Sequence, residues 1–168
     1  MKLTELFLAE LDREGPRSRR ALEQYPDGRG EWKPHEKSMM FGYLAQLVAT
    51  MPSWVTMHVK QNELDLNPPG GSPYTVDQPK TAQDLVAALD KTLADARAAL
   101  EGTTDEHLMT PWRLLVAGNV VAEEARHVMI RETLNHWAHH RGQMTVYLRL
   151  LGQKVPALYG PSADERRF

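Results

Sequence analysis

From Glu123 to Leu151 the apolar residues recur at intervals of three and four, and Gly152 follows as a stop. This is the period of an α-helix with one apolar stripe, and so long a helix must lay that stripe against other elements. With Ile130 set at 0°, Trp137 falls at about 340°, Met144 at about 320° and Leu148 at about 0°, so the inward face centres near 330°. His140 falls at about 280° and His136 at about 240°, inside and at the edge of that face, whereas His139 falls at about 180° and faces water.

Three further helices are predicted. The first runs from Leu3 to Gln24, with Gly15-Pro16 expected to kink or split it. The second runs from Ser38, as N-cap, to Val59, with Met40, Leu44, Leu47, Met51, Trp54 and Val55 on one face and a bend or restart at Pro52. The third runs from Thr81, as cap, to Leu100, with the stripe Leu85, Leu89, Leu93, Ala96 and Leu100. Tyr25 to Lys37 and Gln61 to Pro79 read as loops, and the Pro/Gly-punctuated tail after Gly152 is expected over the surface. The apolar runs flanking Gly118-Asn119 within Pro111–Val121 predict a short β-hairpin before the last helix. The fold class is therefore all-α, a four-helix bundle with a hairpin insertion, and residues 1–168 are expected to form a single domain.

Composition removes several classes of function. Cysteine is absent, which excludes thiolate metal sites, disulfide scaffolds and a cysteine nucleophile. The net charge of −2 provides no basic footprint for nucleic acid or an anionic membrane. No signal-peptide core or apolar stretch of spanning length is visible, so a cytoplasmic location is expected.

The chemistry concentrates in NHWAHHRGQ, Asn135–Gln143. His136 and His140 are one helical turn apart on one side, about 5–6 Å between Cβ atoms, a spacing at which two nitrogens can hold one metal ion. Two partly buried neutral imidazoles bonded to neighbours are the alternative. Arg141 and Gln143 are candidates for an anionic or thiol-bearing substrate, or for inter-helix hydrogen bonds. Glu123 and Glu124 are expected to sit at the helix N-terminus and favour its dipole. Arg17, Arg19 and Arg20 read as a solvated helix face. Trp32, Trp54, Trp112 and Trp137 read as core or loop anchors.

WKPHEKSM (Trp32–Met39), LNHWAHHRGQMTVYLRLLGQKVP (Leu134–Pro156) and YGPSADE (Tyr159–Glu165) together resemble the DinB-like, DNA-damage-inducible family. That family is related to metal-dependent thiol transferases that use mycothiol or bacillithiol. The resemblance implies a bundle of up-down-down-up connectivity, often a homodimer. It also implies a nickel or zinc ion held by three histidines, one from the second helix and two that match His136 and His140. In the second helix the family pattern resembles G-x-L-A-x-H-[IV]-A followed by Pro-x-Trp. Here the run is Gly42-Tyr43-Leu44-Ala45-Gln46-Leu47-Val48-Ala49, then Pro52-Ser53-Trp54, so Leu47 stands where a ligand is expected. Leucine cannot coordinate a metal, although the apolar spacing places Leu47 on the inward face.

Three residues are weighed as replacements. Gln46 is adjacent but rotated about 100° away, His58 lies about 16 Å further along an unbroken helix, and Glu132 approaches from about 200° on the last helix. Two functional expectations follow from the resemblance. One is a metal-dependent enzyme of thiol transfer or hydrolysis, acting on a small-molecule or thiol substrate with a site short of one histidine. The other is a metal-free, non-catalytic binding or interaction module that retains the bundle.

Overall fold

The computed structural model describes residues 2–71 and 81–166. In chain order the elements are α1 (Leu3–Leu22), α2 (Phe41–Thr50), α3 (Pro52–Lys60), β1 (Glu63–Asp65), α4 (Ala82–Glu101), α5 (Asp105–Leu108), β2 (Pro111–Val116), β3 (Asn119–Ala125) and α6 (Arg126–Leu150). Helices α1, α2–α3, α4 and α6 share one core that includes Phe7, Leu11, Leu22, Phe41, Leu44, Val48, Leu85, Leu89, Ile130, Trp137 and Met144. The chain is thus helix-rich, with a small sheet beside the helices. Among the described residues, no helix is long and apolar enough to cross a membrane.

Helix α1 runs unbroken through Pro16, against the expected kink or split. Proline removes one hydrogen bond, to the carbonyl of Asp12, but Asp12 and Pro16 are both exposed, so water can solvate the freed oxygen. The inner side of this turn is Gly15, where an added Cβ would stand 2.9 Å from Leu93 Cδ1 on α4. Arg19–Asp90 and Arg97–Asp12 ion pairs tie the two helices together.

The second predicted helix is two. It restarts at Pro52, which occupies the first turn of α3, where its missing N–H costs nothing. The N-cap is Met40 rather than Ser38, and no side chain caps it. The buried face of α2 is also rotated from the predicted one. It comprises Phe41, Gly42, Leu44, Ala45, Val48 and Ala49, while Met40 is exposed and Leu47 half-buried. Small residues cause the difference: α2 packs against α4 and α6 at once, and the Ala49 carbonyl accepts from Thr92 Oγ1 on α4 at 2.9 Å.

Thr81 caps α4 as expected, in a reciprocal box with Asp84. The hairpin forms with its turn at Ala117-Gly118, one residue earlier than predicted, both residues having positive φ (50° and 78°). Part of the long connection before α4, residues 72–79, lies outside the described residues. Its start contains a strand that the sequence reading missed: β1 pairs parallel with β2, giving the order β1-β2-β3. The Asp65 carboxylate then accepts the backbone N–H of Ala117 at 3.0 Å and of Gly118 at 2.7 Å, pinning the turn. Glu123 and Glu124 belong to β3 rather than to a helix start, because Glu123 pairs across the ladder with Arg113.

Helix α6 ends as predicted. Gly152 has φ 72°, its N–H meets the Arg149 carbonyl, and the Gln153 N–H reaches back to Leu148 at 2.9 Å. The tail is strapped down by charge. Arg17 donates to the Leu158 carbonyl, and Arg20 donates to the Ala157 carbonyl and pairs with Glu165, so this arginine cluster does more than face solvent.

Beneath the strap, Arg141 is fully buried and paired with the buried Glu14. It also donates to Ser18 Oγ at 2.9 Å and to the Tyr159 hydroxyl. Burial alone would raise the Glu14 pKa, but the Tyr159 hydroxyl, Arg141 and Arg17 outweigh it and hold the carboxyl below its ordinary value. Glu14→Ala is expected to cost about 3–5 kcal/mol, because it strands a buried guanidinium. Replacing both Glu14 and Arg141 by apolar residues of similar volume is expected to cost much less. Urea unfolding of the two variants checks this, and equal losses would contradict it.

Candidate functional site

The buried side chains of α6 are Arg126, Ile130, Thr133, Trp137, His140, Arg141, Met144 and Leu148. On the wheel they span about 280° to 20°, the arc predicted from the sequence. His140 sits at one edge of this arc and is buried, while His136 and His139 lie outside it and are exposed.

The pair is close. The His136 and His140 ring centroids are 4.5 Å apart. His140 Nδ1 donates to Gln143 Oε1 at 2.8 Å. That bond fixes the ring and its tautomer and leaves Nε2 as a lone-pair donor, as the outer hydrogen bond of a metal-binding imidazole does. Nε2 makes none of the described hydrogen bonds and is not among the enclosed unpartnered atoms, so it keeps contact with solvent. On the other side Trp54 sets its ring against His136, centroids 5.5 Å apart. Partial desolvation, together with the neighbouring rings of His140 and His139, lowers the His136 pKa and favours the neutral, ligating form.

Contacts between α2–α3 and α6 step in opposite chain directions. Phe41 meets Tyr147, the Val48 carbonyl accepts from Trp137 Nε1 at 2.7 Å, Trp54 meets His136, and His58 meets Thr133. Interpolating between the Phe41 and Val48 rungs sets Leu47 level with residues 138–139, within one turn of His140. Leu47 is thus at the right height on α2, at the edge of the core rather than within it, and it offers no donor.

None of the three weighed replacements stands in for it as placed. His58 is buried, its Nε2–H donates to Thr133 Oγ1 at 3.1 Å, and its ring meets Trp112 edge-on with centroids 4.5 Å apart. Glu132 is exposed and bonded to Arg131 at 3.1 Å. Gln46, on α2, is half-buried. Among the described residues no three His, Cys, Asp or Glu side chains converge as a ready metal site. The donor set fits two ligands on α6; it does not fit a three-histidine centre spanning α2 and α6.

Two clefts, of about 410 and 260 Å³, are lined by other residues, among them His107 and Lys60 in the first and Arg20 and Lys154 in the second. Neither cleft is lined by the imidazole pair. Sequence reasoning named Gln143 and Trp54 but missed their roles. The i,i+3 spacing of His140 and Gln143 is the signal for the first. Nothing local signals the second, which depends on the restart at Pro52. Of the two roles weighed for Arg141, the structure shows the inter-helix one: it is bonded to Glu14 and Ser18 on α1.

A bundle of helices carrying an i,i+4 imidazole pair in the middle of its last helix defines the class. The family model of DinB matches residues 75–167, and the chain belongs to the DinB family. A DinB-like protein from Bacillus cereus ATCC 10987 superposes with a TM-score of 0.70 at 22% identity, covering 92% of this chain and 97% of that one. A DinB-like protein from Bacillus subtilis, YjoA, superposes at 0.68 with 19% identity, covering 96% and 99%. These identities speak for the fold alone. The uncharacterized protein YrdA of Bacillus subtilis is 53% identical over 32 residues, so the match spans only 19% of either chain.

His58 generates a test of its own. Burial, and then the Arg126 guanidinium, push its pKa down from 6.5 to about 4. The unfolded chain therefore binds a proton between these values that the folded chain refuses. The associated stability is complete above about pH 6.5 and falls as pH drops towards 4, by about 3 kcal/mol in all. In His58→Gln this slope is expected to vanish, so urea midpoints of the variant are flatter than wild type from pH 7 to 4.5. Parallel profiles would contradict it.

Proposed function

We propose that this chain is a metal-dependent DinB-family enzyme with nickel or zinc on His136 and His140, acting on a small-molecule or thiol substrate by thiol transfer or hydrolysis. The observation that carries the reading is the imidazole pair at 4.5 Å, with one ring oriented by Gln143. Imidazole suits both metals. A cytoplasmic homodimer with up-down-down-up connectivity completes the proposal. In support of that connectivity, α1 runs against α4 through Arg19–Asp90 and Arg97–Asp12, and α2–α3 runs against α6.

Leu47 favours a second reading, a metal-free binding module that keeps the bundle. The two separate on metal content. Protein purified without a His tag and incubated with nickel or zinc is expected to retain metal, and His136→Ala or His140→Ala is expected to lose it. Leu47→His is expected to raise affinity sharply, because Leu47 lies within one turn of His140 along α6. No retained metal in the wild type would leave the binding-module reading.

A further inference from the structure

From Ser38 to Val59 the chain holds no aspartate, glutamate, lysine or arginine, and from Thr133 to Leu148 it holds only Arg141, which is buried. These two stretches are α2–α3 and most of α6, and they lie side by side. Among the described residues, their common outer face thus presents no such charge of its own, in a protein where 25% of residues are charged. Charge returns at the borders, with Lys37 and Lys60 flanking one stretch and Glu132 and Arg149 the other. The other sides of the molecule differ. Helices α1 and α4 carry the Arg19–Asp90 and Arg97–Asp12 pairs, and the sheet carries Arg113–Glu63.

Apolar side chains stand out from the uncharged face. Met39, Met40 and Tyr43 are exposed at the entrance to α2, as are Val146 (56%) and Leu150 (59%) towards the end of α6. The Tyr147 hydroxyl donates to the Met39 carbonyl at 3.1 Å, joining the two groups. Single exposed apolar residues are ordinary, but a group of them inside a charged rim is not. Depletion of charge with enrichment in methionine and aromatics is the composition of an interface core.

Gly142 adds an independent observation. It lies on the outer side of α6, at about 120° on the wheel beside Val146 at about 160°. It is exposed and helical, without positive φ, and a Cβ added there would meet nothing within 4 Å. Nothing within the chain requires glycine here, and glycine weakens a helix interior. A bare backbone at this point admits the close approach of another surface.

We propose that a second copy of this chain docks two-fold on the α2–α6 face, with Gly142 and Val146 near the axis. This rests on the homodimer of the proposed function and assigns it a face. A two-fold contact sets a surface against itself, so a charge near the axis meets its like, and an uncharged face escapes that cost. The size also fits. Residues 133–150 of α6 extend about 27 Å and two helices side by side are about 20 Å wide. The flat footprint is roughly 540 Å², which side-chain relief carries towards the ~800 Å² per partner of a standard interface. The docked copy stands over the exposed rings of His136 and His139 and walls a site that one chain leaves open on that side.

Sedimentation equilibrium of the untagged full chain tests this. The wild type is expected to be a dimer at micromolar concentration. Val146→Glu sets a carboxylate against its own image, and Gly142→Leu fills the bare backbone. Each is expected to raise the dimer dissociation constant at least tenfold, with unchanged circular dichroism. Val120→Glu, at a similarly exposed valine of β3 (51%), is expected to leave it unchanged. A monomeric wild type overturns the proposal and the homodimer together. A dimer that withstands both Val146→Glu and Gly142→Leu overturns the face and leaves the homodimer standing. Metal retention by the imidazole pair is read separately, so neither result decides that part of the proposed function.

Discussion

A guanidinium in a helix interface has lost its water, and only a paired, hydrogen-bonded setting makes that tolerable. Arg141 has such a setting: Glu14 and Ser18 from α1, and Tyr159 from the tail, all converge on it. Two other parts of the chain, α1 and the tail, are thereby referred to one residue of α6. The pair also fixes the rotation of that helix. Arg141 lies at about 20° and His140 at about 280°, opposite edges of one buried arc. A rotation that brought His136 inward would drive Arg141 towards water and break its pair. The buried ion pair thus keeps His136 and His139 on the surface and His140 at the margin, where the exposed Gln143 can orient its ring.

The opposing helix obeys a different constraint. Helix α2 is squeezed between α4 and α6, and it meets this with Gly42, Ala45 and Ala49 on its buried face. Small residues admit close approach, and the larger Leu47 is turned to the edge. The side chain at this position therefore takes no place in the core, and its chemistry can vary without disturbing the packing beneath. That separation of packing from chemistry allows a bundle to keep its shape while its donor set changes.

How far the sequence could be read depended on how local each determinant is. The face of α6 was legible because a single uninterrupted period of 3.6 sets it, and its buried arc matches the wheel down to His140 and His136. The caps at Thr81 and Gly152 were legible because they act within a few residues. The face of α2 was misread because alanine and glycine carry little hydrophobic signal, so burial between two helices looked like a leucine and methionine stripe. Strand β1 was invisible because three residues acquire their pairing from β2, some fifty positions away. Glu123 and Glu124 were placed in a helix because the end of β3 and the start of α6 are contiguous, with no breaker between them. At the site, residue types at fixed spacing were found. What the other helix contributes was not, because the restart at Pro52 sets where Trp54 arrives.

Where the ligands sit decides what metal binding does to the rest of the molecule. A centre built from α2 and α6 exists only when the bundle is assembled, so its binding energy adds to the stability of the whole fold. A centre confined to one turn of α6 exists wherever that turn is helical, including partly opened states, and its stabilising effect on the bundle is correspondingly smaller. The α2–α6 interface itself is held by contacts away from the imidazole pair, the Trp137 hydrogen bond to the Val48 carbonyl and the packing of Phe41 on Tyr147. Both engage a fully buried core side chain, so the assembly of the bundle does not depend on what the imidazoles bind.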